Sequence, residues 1–330
     1  MERTMPDKTD VLLIGPKKPV IFNGLQAAMN VHPFVDAKDP DALIAELAPR
    51  LRAIAVSVSS ERVTGELMSR LPKLEIVSTF AVGYDHIDAK WAGEHGVTVT
   101  NTPDVLTEEV ADTALGLLLC TVRELPQAER YLRAGKWLER DYRLTPATLR
   151  DRTVGLVGMG RIGQAIARRL DGFKVPVMYH SRRPQAGVPY RHYPDLVAMA
   201  RDVDILLVIV PGGQTTRHII TVQVLEALGP EGIFINMARG SVIDEAVLIK
   251  ALQDKTIMTA GLDVFASEPK VPKELIAMEH VVLFPHVGSA TVATRRAMDQ
   301  LVVDNILAWA AGKPPLTPVA ETPWPPKKRA

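Results

Sequence analysis

The sequence predicts an α/β protein of two domains, each built on a parallel sheet. Three observations carry this. The chain has 330 residues, more than the roughly 100–200 of a typical domain. Short apolar runs alternate with helical patterns along its length, the rhythm of strand–helix–strand units. Midway, the apolar run Val154-Gly155-Leu156-Val157 ends in Gly158-x-Gly160-x-x-Gly163, and a helical pattern with Ala165, Ile166, Ala167 and Leu170 follows. Strand, glycine turn and helix form the setting that a dinucleotide fingerprint requires. Gly158 permits the tight turn, Gly160 lets the backbone approach a pyrophosphate, and Gly163 lets helix and strand pack closely. The first amides of the helix, with its dipole behind them, then face an anion. The plain alternative is an ordinary glycine-containing turn.

In chain order, residues 11–14 read as a buried strand ending at Gly15-Pro16. Residues 41–51 read as a helix with Leu43, Ile44, Leu47 and Leu51 on one side. Strands follow at 53–58, 74–79 and 97–100, with helical patterns at 64–71 and 87–94 between them. Phe80-Ala81-Val82-Gly83-Tyr84-Asp85 continues the third of these four strands, and ligands of open α/β sheets sit beyond the carboxyl ends of strands. A plain turn is the competing reading. Asn101-Thr102-Pro103-Asp104 reads as a domain crossing. Thr107 is a candidate N-cap with Glu108 and Glu109 behind it. Residues 110–125 are apolar almost all round, which calls for burial on several sides. Ala134-Gly135-Lys136-Trp137 and the polar run after it read as a surface excursion.

From Val154 strands recur at 154–157, 177–180, 205–210, 233–237, 259–262 and 281–284. Such a series with intervening helices fits a doubly wound Rossmann domain. A helix over 290–311 is expected to return the chain to the first domain, so the divisions fall at 1–101 plus 288–330 and at 102–287. The proline-rich tail from Gly312, ending Lys327-Lys328-Arg329, reads as solvated.

Composition removes several function classes. The net charge of +1 gives no global field for nucleic acid or an anionic membrane. No apolar run approaches a membrane span, and the polar residues 1–10 lack a signal-peptide pattern. A single cysteine, Cys120, permits no internal disulfide and fits a reducing compartment. The expectation is a soluble cytoplasmic protein without a metal centre.

Three stretches place a polar group just after an apolar strand: Arg239 after residues 234–238, Asp263 and Glu268 after 259–262, and His286 after 281–285. Taken singly, each has a plain reading as a surface cation, a helix-start acid or a loop histidine. Together beside a dinucleotide site they match hydride transfer to a 2-keto acid. A guanidinium fork holds the carboxylate in a bidentate way. A histidine supplies a proton to the carbonyl oxygen, and a carboxylate behind it fixes the tautomer and favours the imidazolium.

An acid about 20 residues after the glycine loop binds the ribose 2′-hydroxyl of NAD. Here the second strand runs instead into Ser181-Arg182-Arg183-Pro184. An arginine attracts a 2′-phosphate and a serine can bond to it. The cofactor expected is therefore NADPH/NADP, with NADH weaker, held mainly by Ser181 and Arg182 and secondarily by Arg183.

The chain resembles the D-isomer-specific 2-hydroxyacid dehydrogenase family over essentially its whole length. The stretches that carry this are Ala81-Val82-Gly83-Tyr84-Asp85, the Gly158–Gly163 loop, Asn236-Met237-Ala238-Arg239-Gly240, Leu262-Asp263-Val264-Phe265 through Glu268-Pro269, and Pro285-His286-Val287-Gly288-Ser289-Ala290-Thr291. Arg130-Tyr131-Leu132-Arg133-Ala134-Gly135-Lys136-Trp137 and Tyr179-His180-Ser181-Arg182 point within the family to its glyoxylate/hydroxypyruvate reductases, and to the hydroxyphenylpyruvate reductase branch.

The resemblance implies a flavodoxin-like substrate domain beside the Rossmann domain, and a homodimer. It implies Arg239 as substrate anchor, Glu268 as orienting acid, His286 as proton donor, and substrate contact through the Val82 and Gly83 amides. Asp263 is implied to contact the nicotinamide. The full cofactor set expected is Thr107, Gly158, Met159, Gly160, Arg161, Ile162, Gly163, Ser181, Arg182, Arg183, Pro211, Thr216, Met237, Asp263, His286 and Gly288. Ala266 stands where many relatives carry an acid. Trp137 is a candidate pocket wall supplied across a dimer interface, or an anchor of the excursion to its own subunit. Two other functions stay open: an NAD-dependent dehydrogenase of another acid, and a cofactor-sensing protein like the corepressors of this fold.

Overall fold

The computed structural model describes residues 8–58 and 60–327. Residues 1–7, most of the polar start, and Lys328-Arg329 of the basic triplet lie outside the described residues. The chain forms two compact units: residues up to Leu106 together with those from Thr291 onward, and Thr107–Ala290.

The first unit begins with strands β1 (Asp10–Ile14), β2 (Asn30–Pro33), β3 (Ala53–Val56), β4 (Ile76–Thr79) and β5 (Thr98–Thr100). Helices α1 (Pro19–Gln26), α2 (Pro40–Leu47), α3 (Gly65–Ser69) and α4 (Ala89–Glu94) connect them. All strands are parallel in the order β2-β1-β3-β4-β5, the flavodoxin-like arrangement. Every residue of β3 and β4 is buried, as a parallel sheet covered on both faces requires. Leu12, Ile14, Ile54, Val56, Val77 and Val99 share one core with Leu47, Met68 and Ala92. Asp39, Thr64 and Asp88 cap α2, α3 and α4 by accepting the N–H of Ala42, Leu67 and Trp91. The helix expected over 41–51 is regular only to Leu47, because Pro49 disfavours helical backbone at the residue before it.

The second unit opens with α5 (Thr107–Arg123) and α6 (Leu125–Arg133). It continues through β6 (Val154–Val157), α7 (Arg161–Gly172), β7 (Val177–His180), β8 (Arg191–Tyr193), α8 (Leu196–Asp202), β9 (Ile205–Val208) and α9 (Val222–Leu228). Then come β10 (Ile233–Asn236), α10 (Glu245–Gln253), β11 (Thr259–Leu262), α11 (Lys273–Ala277) and β12 (Val282–Leu283). The strands run in the order β12-β11-β10-β9-β6-β7-β8. Counted from β6 this is the 3-2-1-4-5-6 order of a Rossmann sheet, with one strand added at the far edge. The strand order reverses between β6 and β9, the switch point where such sheets bind ligands.

Two sequence expectations are corrected here. Thr107 is the first helical residue of α5 rather than its cap. The apolar run does not continue to Leu125, because Glu124 adopts a left-handed backbone (φ 50°) that ends α5, and Leu125 starts α6 half-exposed.

Finally α12 (Val292–Ala310), capped by Thr291, lies in the first unit and packs against α1 and β4. Described tail residues are not all solvated. Val319 N–H donates to the Val99 carbonyl at 2.9 Å, and Thr322 Oγ1 accepts from Val99 N–H at 2.8 Å. The tail thus lines β5 as far as Thr322. Among the described residues no helix is long and apolar enough to cross a membrane.

Candidate active site

The glycine turn has the form that its spacing predicts. Gly158 sits at φ +107°, and a Cβ there would lie 2.6 Å from the Ile209 carbonyl oxygen. A Cβ on Gly163 would come within 2.3 Å of the Gly158 carbonyl oxygen. Both glycines are therefore demanded by the protein's own packing. Gly160, the N-cap of α7, is different: its φ of −76° suits any residue, and a Cβ there meets nothing within 4 Å. No neighbour among the described residues explains this glycine, but a pyrophosphate drawn against the open helix N-terminus does. The turn fits a dinucleotide. Met159 is buried in it, Ile162 half-buried, and Arg161 exposed at the first position of α7.

At the end of β7 the loop from Ser181 is tied back to the sheet edge. His192 Nε2 lies 2.9 Å from the Ser181 carbonyl, and His180 Nδ1 lies 2.9 Å from that of Tyr193. The short polar strand β8 supplies both contacts, and nothing in its sequence marks it as a strand. Arg182 and Arg183 are exposed, and neither guanidinium has an ion-pair partner among the described residues. The Ser181 hydroxyl donates to the Arg183 carbonyl at 2.7 Å, so it must rotate to donate to a phosphate. Beyond β9, the Thr216 hydroxyl donates to the Pro211 carbonyl at 2.7 Å and closes the next loop.

Arg239, Glu268 and His286 follow β10, β11 and β12 in the same unit. Asn236 shapes the first turn: its Nδ2 donates to the Arg239 carbonyl at 3.0 Å and its Oδ1 accepts from Ala238 N–H at 3.0 Å. Gly240 then passes so close to the β11 loop that a Cβ would overlap the Phe265 backbone. This crossing sets the half-buried Arg239 beside the Glu268 loop. His286 Nδ1 and Glu268 Oε2 are 2.7 Å apart, with the two side chains 38% and 35% exposed. Glu268 Oε1 accepts from Phe265 N–H at 3.0 Å. Burial opposes charge on Glu268, but the bonds to His286 and Phe265 and the nearby His286 and Arg239 charges outweigh it, so its carboxyl lies below the usual range. The His286 Nε2 edge has no hydrogen-bond partner among the described residues.

Asp263 has a role that sequence reasoning missed. It is 2% exposed, and its two oxygens accept from Val287 N–H at 2.7 Å and Gly288 N–H at 2.9 Å. Burial raises its pKa against those bonds. The carboxylate thereby fixes the loop that holds His286 in its left-handed conformation, φ 54°. Gly288 is buried, its carbonyl taken by the Thr113 hydroxyl at 3.1 Å. Met237 is buried at the start of the β10 turn.

In the first unit, the loop after β4 is framed on one side. Thr102 N–H donates to the Ala81 carbonyl at 2.8 Å, and Asn101 Nδ2 to the Val82 carbonyl at 2.8 Å. The Val82 and Gly83 N–H groups have no partner among the described residues, although both residues are half-buried. Asn101, read from sequence only as part of a crossing, is thus a clamp on this loop. Trp137 is 62% exposed and touches Asp141 through Nε1 at 3.4 Å. It does not anchor the excursion by burial in its own chain.

Fold and glycine turn together define a dinucleotide-binding α/β protein. Comparison with known proteins carries this further. The family model described as D-isomer specific 2-hydroxyacid dehydrogenase, NAD binding domain, matches residues 115–288. The glyoxylate/hydroxypyruvate reductase A of Arabidopsis thaliana is 46% identical over 309 residues, 94% of this chain and 98% of the relative. The hydroxyphenylpyruvate reductase of Plectranthus scutellarioides is 47% identical over 272 residues, 82% of this chain and 86% of the relative. Among solved structures, the NADPH-dependent glyoxylate/hydroxypyruvate reductase of Sinorhizobium meliloti in complex with NADP and malonate is 49% identical. It superposes with a TM-score of 0.92 over 98% of this chain and all (100%) of its own. The chain belongs to the D-isomer-specific 2-hydroxyacid dehydrogenase family.

Proposed function

We propose that this chain reduces small 2-keto acids to D-2-hydroxy acids with NADPH. Glyoxylate and hydroxypyruvate are its substrates, and the bulkier hydroxyphenylpyruvate extends the range. The observation that carries the reading is the His286–Glu268 pair, 2.7 Å apart, with the opposite ring edge open, in the unit that holds the Gly158–Gly163 turn. When bound, the reduced nicotinamide supplies the hydride. Arg239 holds the substrate carboxylate through its fork, and the Val82 and Gly83 N–H groups are the substrate contacts that the first unit offers. His286 Nε2 gives a proton to the carbonyl oxygen. Glu268 orients the ring and stabilises its charged form, and Asp263 holds the His286 loop and would stand on the nicotinamide side of the site.

The Thr107–Ala290 unit then serves the cofactor and the other unit the substrate. Gly158–Gly163 would hold the cofactor's pyrophosphate, and Thr107, Pro211, Thr216, Met237 and Gly288 would line its site. Arg182 would bind its 2′-phosphate, with Ser181 and Arg183 as secondary contacts. Identity to proteins named as reductases, and the absence of any acid at the end of β7, support NADPH over NADH.

A homodimer and a cytoplasmic location belong to the same reading. Leu132, Trp137, Leu138 and Leu144 are 55%, 62%, 93% and 94% exposed on one short stretch, a run of apolar surface that suits a second copy. Trp137 then walls the partner's pocket. Purified protein mixed with NADPH and glyoxylate should lose nicotinamide absorbance only when both are present. Binding of NADPH without turnover of any 2-keto acid would instead make the chain a cofactor sensor.

A further inference from the structure

Lys18 stands shortly after β1, at the residue just before the first turn of α1, and its side chain makes no capping bond there. Its ammonium lies 2.8 Å from the centre of the Phe80 ring and 3.3 Å from Asp299 Oδ1 on α12. Phe80 is 4% exposed and immediately precedes Ala81-Val82-Gly83. Its backbone N–H is held by the Val56 carbonyl at 2.9 Å. The Arg295 guanidinium, one turn before Asp299, approaches the same ring at 5.3 Å. Three elements of the first unit, the α1 start, the β4 end and α12, thus meet through one ring and its charges.

Such a cluster is a costly way to fill space. A half-buried ammonium and a buried carboxylate lose water, and an apolar side chain over Phe80 would pack without that loss. A cation on a ring face, paired behind, does fix the ring's position and plane more narrowly than apolar packing does. The ring stands two residues before the first of the Val82 and Gly83 N–H groups, which have no partner among the described residues.

We propose that Lys18, seated on Phe80 and paired with Asp299, is a positioning residue for the substrate loop Ala81-Val82-Gly83. It sets the Val82 and Gly83 amides for the 2-keto acid carboxylate without touching the substrate. The inference rests on the reading that those amides bind substrate. Burial, reinforced by Arg295 and opposed by Asp299, brings the Lys18 pKa down to about 8, and burial raises that of Asp299. Among the described residues those two of α12 are the charged groups acting on the ammonium, and the adjacent Lys17 pairs with Asp36. Ring fixation is therefore strongest below about pH 8 and fades above it.

The test compares wild type, Lys18→Met and Lys18→Arg for glyoxylate reduction by NADPH from pH 6.5 to 9.5. Lys18→Met should raise KM for glyoxylate about tenfold, with kcat within about twofold and KM for NADPH unchanged. Lys18→Arg should recover most of the loss and remove the rise in KM that wild type shows above about pH 8, because a guanidinium stays charged there. Wild-type KM in Lys18→Met across the pH range overturns the inference. So does a fall of kcat and Tm, whatever the change in KM, that arginine does not rescue, which marks a structural role alone. An active wild type with an inert Lys18 overturns this inference and leaves the function standing, whereas a wild type without turnover overturns both.

Discussion

Arg239 is the residue whose loss should be felt most directly in substrate affinity. Arg239→Ala leaves a carboxylate without its charged partner, a cost of about 2–5 kcal/mol, so kcat/KM should fall by at least tens of fold. Arg239→Lys should regain little, because a point charge does not replace the fork. Near wild-type efficiency in either variant removes Arg239 from the carboxylate site. Glu268 acts on the pH profile. Its negative charge, 2.7 Å from the ring, favours the protonated histidine, the form that reduction consumes. Glu268→Gln should therefore move the high-pH limb of the reduction rate to lower pH, and a profile whose limb stays in place contradicts the pairing. Arg182 belongs at this scale too. With no carboxylate near it at the β7 end, Arg182→Ala should raise KM for NADPH much more than KM for NADH, and added salt should narrow the gap in wild type. Equal use of NADH and NADPH by the wild-type enzyme argues against this loop as the discriminator.

Among the elements, the glycine turn offers an internal control. Gly163→Ala forces a Cβ against the Gly158 carbonyl at 2.3 Å, so α7 must shift on β6 and the melting temperature should drop along with cofactor binding. Gly160→Ala meets no atom of the described residues within 4 Å. It should melt like wild type and yet bind NADPH about tenfold more weakly, about 1.4 kcal/mol. Unaltered NADPH binding in Gly160→Ala would mean that no phosphate approaches that backbone. The same turn shows what was legible in the sequence. Apolar strands ending in glycines or in single polar residues announce themselves, and the Gly158–Gly163 loop, Arg239, Glu268 and His286 stand out from the sequence in that way. The edge strands β2 and β8 were not, because Asn30–Pro33 and Arg191–Tyr193 are short and polar and are held by neighbours distant in sequence. Nor does spacing reveal a role that depends on a bond across the fold, as when Asp263 grips the N–H groups of Val287 and Gly288, or Asn101 grips Val82.

At the scale of the molecule, the apolar stretch after α5 predicts assembly. Leu138→Glu combined with Leu144→Glu adds charge at two almost fully exposed positions. Such changes cost a folded monomer little, but they place charge in any interface built there. Sedimentation should find wild type at twice the chain mass and the double variant at once. A wild-type chain that sediments as a monomer at micromolar concentration refutes the dimer and, with it, the placing of Trp137 in a partner's pocket.

The first unit is written in two pieces, with α12 and the strip along β5 coming after the whole of Thr107–Ala290. A ribosome delivers the chain from its N-terminus, and domains generally fold as units while it does so. The sheet β1–β5 emerges early but must wait for Val303 to cover Gly24 and for Thr322 to bond β5. The nucleotide-binding unit, uninterrupted in sequence, has everything it needs before then. The unit that is read second is therefore finished first, and the first unit stays open, with apolar faces uncovered, until α12 and the strip along β5 have been made. This is the interval in which a nascent chain of this design most needs a chaperone.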